Sequence, residues 1–143
     1  MLISDVLGVK GDHVVTIRPD QTVKEAVERL AEHRIGAVVV TDFEKPVGIF
    51  SERDLVNRLA KSGIRAYDFE VRELMSAPLI TGHPDNTIEH ALTLMVHRRI
   101  RHLPILGATR MQGLVSIGDL IKYRLDQKEL EASVLLDIAR MRA

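Results

Sequence analysis

Between Val23 and Ala31 the apolar residues fall at Val23, Ala26, Val27, Leu30 and Ala31, a stripe along one face of a helix. The stripe returns at Ile88, Ala91, Leu92, Met95 and Val96. After each stripe come apolar runs of strand length: Ala37 to Thr41 and Val47 to Phe50, then Leu103 to Leu106 and Gly113 to Val115. The connectors DFEK and GATR are turn-like, so each pair of runs predicts a hairpin. Ahead of each helix a short strand (Val14 to Ile17, Leu79 to Thr81) runs into Pro-Asp, a turn signal. Thr22 and Glu25 have the spacing of a capping box, and a further helix is predicted to begin near Ser51 and near Ser116. The order is β-α-β-β-α, twice. From Leu125 to Met141, the residues Leu130, Val134, Ile138 and Met141 keep helical spacing. They predict a C-terminal amphipathic helix packed on the body or on a second subunit.

The two units align without a gap. A shift of 65 positions (81 minus 16) places Thr16 on Thr81, Pro19 on Pro84, Asp20 on Asp85 and Thr22 on Thr87. Arg34-Ile35 then falls on Arg99-Ile100, and Gly48, Ser51 and Asp54 on Gly113, Ser116 and Asp119. The chain is therefore a duplication. A unit of about 60 residues is marginal alone, but two can bury their faces against each other about a pseudo-two-fold axis, leaving clefts between them. Val71 to Met75 resembles Ile3 to Leu7, so a short entry helix is expected before each unit. The expected boundaries are 1–62, 63–126 and a C-terminal helix at 127–143.

Composition removes several classes of function. Of the 143 residues 45% are hydrophobic, enough for a packed core, and the 20 basic and 20 acidic residues cancel. A net charge of zero gives no general pull toward nucleic acid or anionic lipid. There is no cysteine, which excludes a disulfide scaffold and thiol chemistry. The N-terminus lacks the long apolar run of a signal peptide, and no stretch approaches the roughly 20 residues of a bilayer span. A cytoplasmic location without a membrane is the expectation. The six histidines show no ligand spacing, so no metal site is expected. No nucleophile–base pair or paired carboxylates stand out, so an enzyme is not expected.

The repeated Gly-x-x-Ser-x-x-Asp has two readings. Ser51-x-x-Asp54 and Ser116-x-x-Asp119 match a helix cap, in which serine accepts a backbone N–H and aspartate favours the positive helix end. The motif also follows a strand and opens a helix, where glycine admits close approach and free N–H groups receive phosphate. A carboxylate there can accept from both hydroxyls of a ribose. The readings are compatible with each other.

With the repeated Thr-x-x-Pro-Asp-x-Thr, the helix and the repeated Gly-x-x-Ser-x-x-Asp, the chain resembles a tandem pair of CBS domains, a Bateman module, over roughly 3–125. It looks like a stand-alone pair. The resemblance implies an α/β fold of two such repeats and an adenosyl ligand between them, with AMP the first choice and ADP, ATP, NAD(H) or S-adenosylmethionine the alternatives. It implies a sensor, a homodimer and a regulated partner protein of unknown identity. By resemblance Asp54 and Asp119 each grip a ribose, and Ser51 and Ser116 a phosphate. Thr16 and Ile17 with Ala37 and Val38 line one adenine slot; Thr81 with His102 and Leu103 line the other, and Ile117 covers a face. Arg101 meets phosphate near the pseudo-two-fold, with Arg53 and Arg99 adding charge. Its counterpart in the first unit is Gly36, so the two sites are expected to differ, and Gly36 leaves space for a longer dinucleotide.

Two rivals come from other classes. A ligand-free interaction module would keep the motifs only as caps. A small enzyme or RNA binder would use Arg98-Arg99-Ile100-Arg101-His102, although zero net charge and 3% aromatic content argue against nucleic acid.

Overall fold

The computed structural model describes residues 1–142. The chain runs through α1 (Ile3–Lys10), β1 (Thr16–Ile17), α2 (Val23–His33), β2 (Ala37–Asp42), β3 (Lys45–Ser51) and α3 (Glu52–Ser62). A 3-10 segment (Gly63–Asp68) and α4 (Val71–Leu74) lead into α5 (Ile88–Arg98), β4 (His102–Leu106), β5 (Met111–Ser116) and α6 (Ile117–Arg142). In the first repeat β1 lies parallel to β2, and β2 antiparallel to β3. In the second, β4 and β5 pair in the same register as β2 and β3: His102 faces Ser116 as Ala37 faces Ser51. The strand expected at Leu79 to Thr81 is reduced to one parallel bridge from Gly82 to Ile105. In the first repeat the Val39 N–H donates to the Val15 carbonyl at 3.2 Å; the matching residue on β4 is Pro104, which has no N–H to give.

The helical stripes are narrower than the sequence suggests. Val23, Ala26 and Leu30 are buried on α2, and Ile88, Ala91 and Met95 on α5, whereas Ala31 and Val96 face solvent. Only half of the expected capping box at Thr22 forms. Thr22 accepts the Glu25 N–H at 3.2 Å, but the Glu25 carboxylate accepts from the Gln21 side chain instead of from the Thr22 backbone. Both helices end on an arginine in the left-handed region, Arg34 at φ 54° and Arg99 at φ 55°. The next residues, Ile35 and Ile100, close each end by donating to Leu30 and Met95 carbonyls at 3.0 Å.

The entry helices do not serve the units they precede. Ile3, Val6 and Leu7 of α1 are buried with Ile88, Ala91, Met95, Leu103, Ile105 and Val115 of the second repeat. Val71 and Leu74 of α4 are buried with Ile17, Val23, Leu30, Val38 and Phe50 of the first. Matching bridges fix the exchange: Leu2 pairs with Thr87 and Glu70 with Thr22. The glycine of the repeated motif makes room for it. A Cβ at Gly48 would lie 2.7 Å from Met75 Sδ and 3.0 Å from the Ser76 carbonyl; one at Gly113 would lie 2.5 Å from Leu7. These glycines therefore admit the exchanged entry segments, not a ligand as the sequence reading supposed. The chain boundary near residue 62 is not a boundary between cores.

The C-terminal helix is also not a separate element. It continues without a break from the second repeat as α6, 26 residues long. Leu120 is buried, and Arg124 pairs with Glu89 on α5. From 128 to 142 the helix is exposed, leaving Leu130, Val134, Ile138 and Met141 bare along one side. No helix among the described residues is long and apolar enough to cross a membrane.

Candidate functional site

Ser51 and Asp54 form a reciprocal cap at the start of α3. The Ser51 N–H donates to Asp54 Oδ2 at 2.9 Å, and the Asp54 N–H to Ser51 Oγ at 3.4 Å. Ser116 and Asp119 repeat it at 2.8 and 3.0 Å. Such boxes satisfy the orphan donors of a first turn. They leave carboxylate lone pairs to spare, so the cap fixes each aspartate without consuming it. The Glu52 N–H goes to the Gly36 carbonyl at 3.1 Å, and the Ile117 N–H to the Arg101 carbonyl at 3.0 Å, which ties each helix start to the strand entry beside it.

A cavity of about 140 Å³ opens where the two repeats meet. The first repeat supplies Gly36, Ile49, Ser51, Glu52, Arg53 and Asp54; Ser76 and the second repeat's Arg99, Ile100, Arg101 and His102 complete it. Ser76 Oγ donates to Asp54 Oδ1 at 3.2 Å. Among the described residues, none of Arg53, Arg99 and Arg101 is in an ion pair. Three free guanidinium groups and one anchored carboxylate at a single opening suit a ligand that carries both phosphate and hydroxyl groups.

The left-handed arginine can be separated from its backbone role. Arg99→Gly is expected to raise stability by about 0.5–1 kcal/mol, because glycine adopts this conformation without a Cβ penalty. It also removes one of the cations that line the cavity. Arg34→Gly should give the same gain in chemical denaturation and leave the cavity lining unchanged.

The second repeat's counterpart site is arranged differently. Asp119 Oδ2 accepts from Lys10 Nζ at 2.5 Å, and Lys10 also donates to the Leu114 carbonyl at 2.6 Å. Burial pushes the Asp119 carboxyl up, but the Lys10 ammonium and the Ser116 N–H outweigh it and hold the group below its ordinary value. His102 stands between the sites, its Nε2 3.2 Å from where a Gly36 side chain would begin. Burial chiefly, then the Lys10 and Arg101 charges, lower its pKa against the pull of Asp119 and Glu52. The fold thus favours the neutral imidazole. Its contribution to stability is present above the ordinary value of 6.5 and is lost as pH falls through its depressed folded value. Wild-type unfolding free energy should therefore fall more steeply than that of His102→Gln as pH is lowered from 7 through 6.5, measured by urea denaturation. Asp119 does not confuse this window: its contribution is lost only below 3.8.

Of the residues that sequence singled out, the cavity gathers Gly36, Ser51, Arg53, Asp54, Arg99, Arg101 and His102. Ser116 and Asp119 form the equivalent corner with Lys10. Ile17, Ala37, Val38 and Leu103 are at most 1% exposed and belong to the cores. Thr16 and Thr81 are half-buried at the edge-strand position, where the Thr16 carbonyl accepts from Arg29. Ile117 packs against the second core. Glu52, Ile49, Ile100 and Ser76 were missed. Ser76 arrives with the exchanged entry segment, for which local sequence carries no signal. No group of acidic or histidine side chains among the described residues has the geometry of a metal site.

The fold and its cavity define a pseudo-symmetric pair of α/β repeats with a charged opening between them. The CBS domain family model matches residues 3–61 and 71–126. The chain is 32% identical over 137 residues to the CBS domain-containing protein YhcV of Bacillus subtilis, covering 96% of each. It superposes with TM-score 0.84 on the CBS-domain containing protein ATU1752 from Agrobacterium tumefaciens, at 38% identity over 87% of this chain and 99% of that one. The CBS domain pair of protein MJ0100, in complex with 5′-methylthioadenosine and S-adenosyl-L-methionine, superposes with TM-score 0.76 at 25% identity, over 86% of this chain and 98% of that one. The chain belongs to the CBS-domain family, as a tandem pair. Such pairs are regulatory ligand-binding modules.

Proposed function

We propose that this chain is a non-enzymatic cytoplasmic sensor of a phosphorylated adenosine ligand, held at the opening between the repeats. The observation that carries this reading is the convergence of Asp54 with three unpaired guanidinium groups drawn from both repeats. Asp54 would accept from the ribose, with Arg53, Arg99 and Arg101 on the phosphate. AMP is the first candidate, NAD(H) or ATP the alternatives. The adenosyl ligands of the MJ0100 pair support the class.

The cavity is smaller than the roughly 300–1,000 Å³ that encloses a whole small-molecule ligand. The slot assigned to adenine is closed by Ile17, Ala37 and Val38. A ligand that prefers one arrangement of the two repeats changes the population of that arrangement. A second copy of the chain against the bare α6 row, or a partner protein, would read that change.

The test is a thermal melt with AMP, ADP, ATP, NAD, NADH and S-adenosylmethionine, with adenosine as the phosphate-free control. A shift for a phosphorylated ligand that exceeds adenosine's supports the reading; equal shifts, or none, reject it. A second reading, a ligand-free interaction module, draws on the complete capping boxes and the bare α6 row. It requires that Ser51 and Asp54 matter for stability alone.

A further inference from the structure

The two repeats hold their aspartates alike on the inner side and differently on the outer side. Ser51 and Ser116 present their N–H groups to Oδ2 of Asp54 and Asp119 at 2.9 and 2.8 Å. Beyond that the first repeat meets Ser76. Its backbone N–H donates to the Ile49 carbonyl at 2.8 Å and its hydroxyl to Asp54. The second repeat meets Lys10, whose ammonium alone takes both equivalent acceptors, the Leu114 carbonyl and Asp119. The asymmetry has a structural source. The extended residue Ser76 pairs with β3 through its backbone, because α4 stops at Leu74. α1 stays helical as far as Lys10, so its backbone cannot pair with β5 and a side chain reaches across instead. The buried Ile3, Val6 and Leu7 hold α1 on the second core and fix where Lys10 points. The pair is reachable from solvent, with Lys10 38% and Asp119 30% exposed.

We infer that Lys10 decides which of the two sites fills: it neutralises the second repeat's hydroxyl acceptor, so an adenosine phosphate occupies the Asp54 site first. A neutral serine hydroxyl at Asp54 can yield to a ribose hydroxyl at little cost. An ammonium on Asp119 must give up an ion pair and a carbonyl bond before that carboxylate can serve a ligand. Lys10 and Ser116 are the partners that hold the Asp119 carboxyl down, and of the two it is Lys10 that also donates to the Leu114 carbonyl. This inference rests on the proposed nucleotide reading.

AMP titrated calorimetrically into the full chain is the test, with wild type, Lys10→Met and Lys10→Met/Asp119→Asn compared. Methionine keeps the aliphatic stem and removes the charge. Wild type is expected to take one AMP per chain at low concentration, with a second site at least about tenfold weaker. Lys10→Met should tighten the second site toward the first and give two per chain, and the double variant should return it to one. One AMP per chain at the Asp54 site in Lys10→Met, with the second site no tighter than in wild type, overturns the inference and keeps the nucleotide reading. A second site that weakens in Lys10→Met also overturns it, because Lys10 would then be a ligand contact. No binding by any folded variant removes both.

Discussion

Asp54→Asn is expected to weaken AMP binding by more than about 100-fold. Hydrogen bonds to a charged acceptor contribute roughly 1.5–3 kcal/mol each, and a ribose offers two hydroxyls. The folded state should lose much less, about 1 kcal/mol, because the asparagine oxygen still accepts the Ser51 N–H, while the charge at the helix start and the acceptor facing the Ser76 hydroxyl disappear. Asp119→Asn should reduce AMP affinity far less, since its carboxylate is already engaged by Lys10. Titration and urea denaturation on the same variants separate the two effects. A stability loss in Asp54→Asn with unchanged affinity would reduce the motif to a cap.

Ile3→Ala is expected to destabilise the protein by about 2–5 kcal/mol, the range for truncating a buried aliphatic side chain. The informative part is where the damage appears. Ile3 precedes the first repeat but is packed in the second core. Hydrogen exchange should accelerate most in α5, β4 and β5, with β2 and β3 better protected. Faster exchange confined to β2 and β3 would mean that α1 serves the repeat it precedes.

The duplication, the hairpins and the helix starts are local patterns, and they are legible in the sequence because period and register are written residue by residue. The 65-residue shift holds from Thr16 to Asp119, and the strands it implies pair in matching register. Exchange of the entry helices is not legible. Ile3 to Leu7 and Val71 to Met75 look alike, and either could cap either core; the choice depends on which groove the chain reaches after the connector at 63–70. That choice also determines why Gly48 and Gly113 are glycines, and it brings Ser76 and Lys10 to the two aspartates. The second repeat's first strand was overread, because Pro104 on β4 has no N–H where Val39 on β2 donates one to Val15. The expected boundary at 127 carries no helix break: no glycine or proline occurs between Leu120 and Leu130, and α6 runs through it.

Three of the candidate ligand residues, Ser51, Asp54 and Arg101, were legible from the repeat and the family resemblance, and the cavity gathers them. The adenine-slot residues were harder to judge, since a valine that faces a base and a valine that fills a core have the same sequence signature. Val38 is fully buried here, and so are its neighbours on β2.

The most direct test is calorimetric titration of nucleotide-free protein with AMP, alongside Asp54→Asn. Saturable binding near one per chain at micromolar concentration, about 8 kcal/mol, lost in the variant, is the predicted result. A folded protein that gives no heat with AMP, ADP, ATP, NAD, NADH or S-adenosylmethionine would contradict the account and leave both motifs as helix caps.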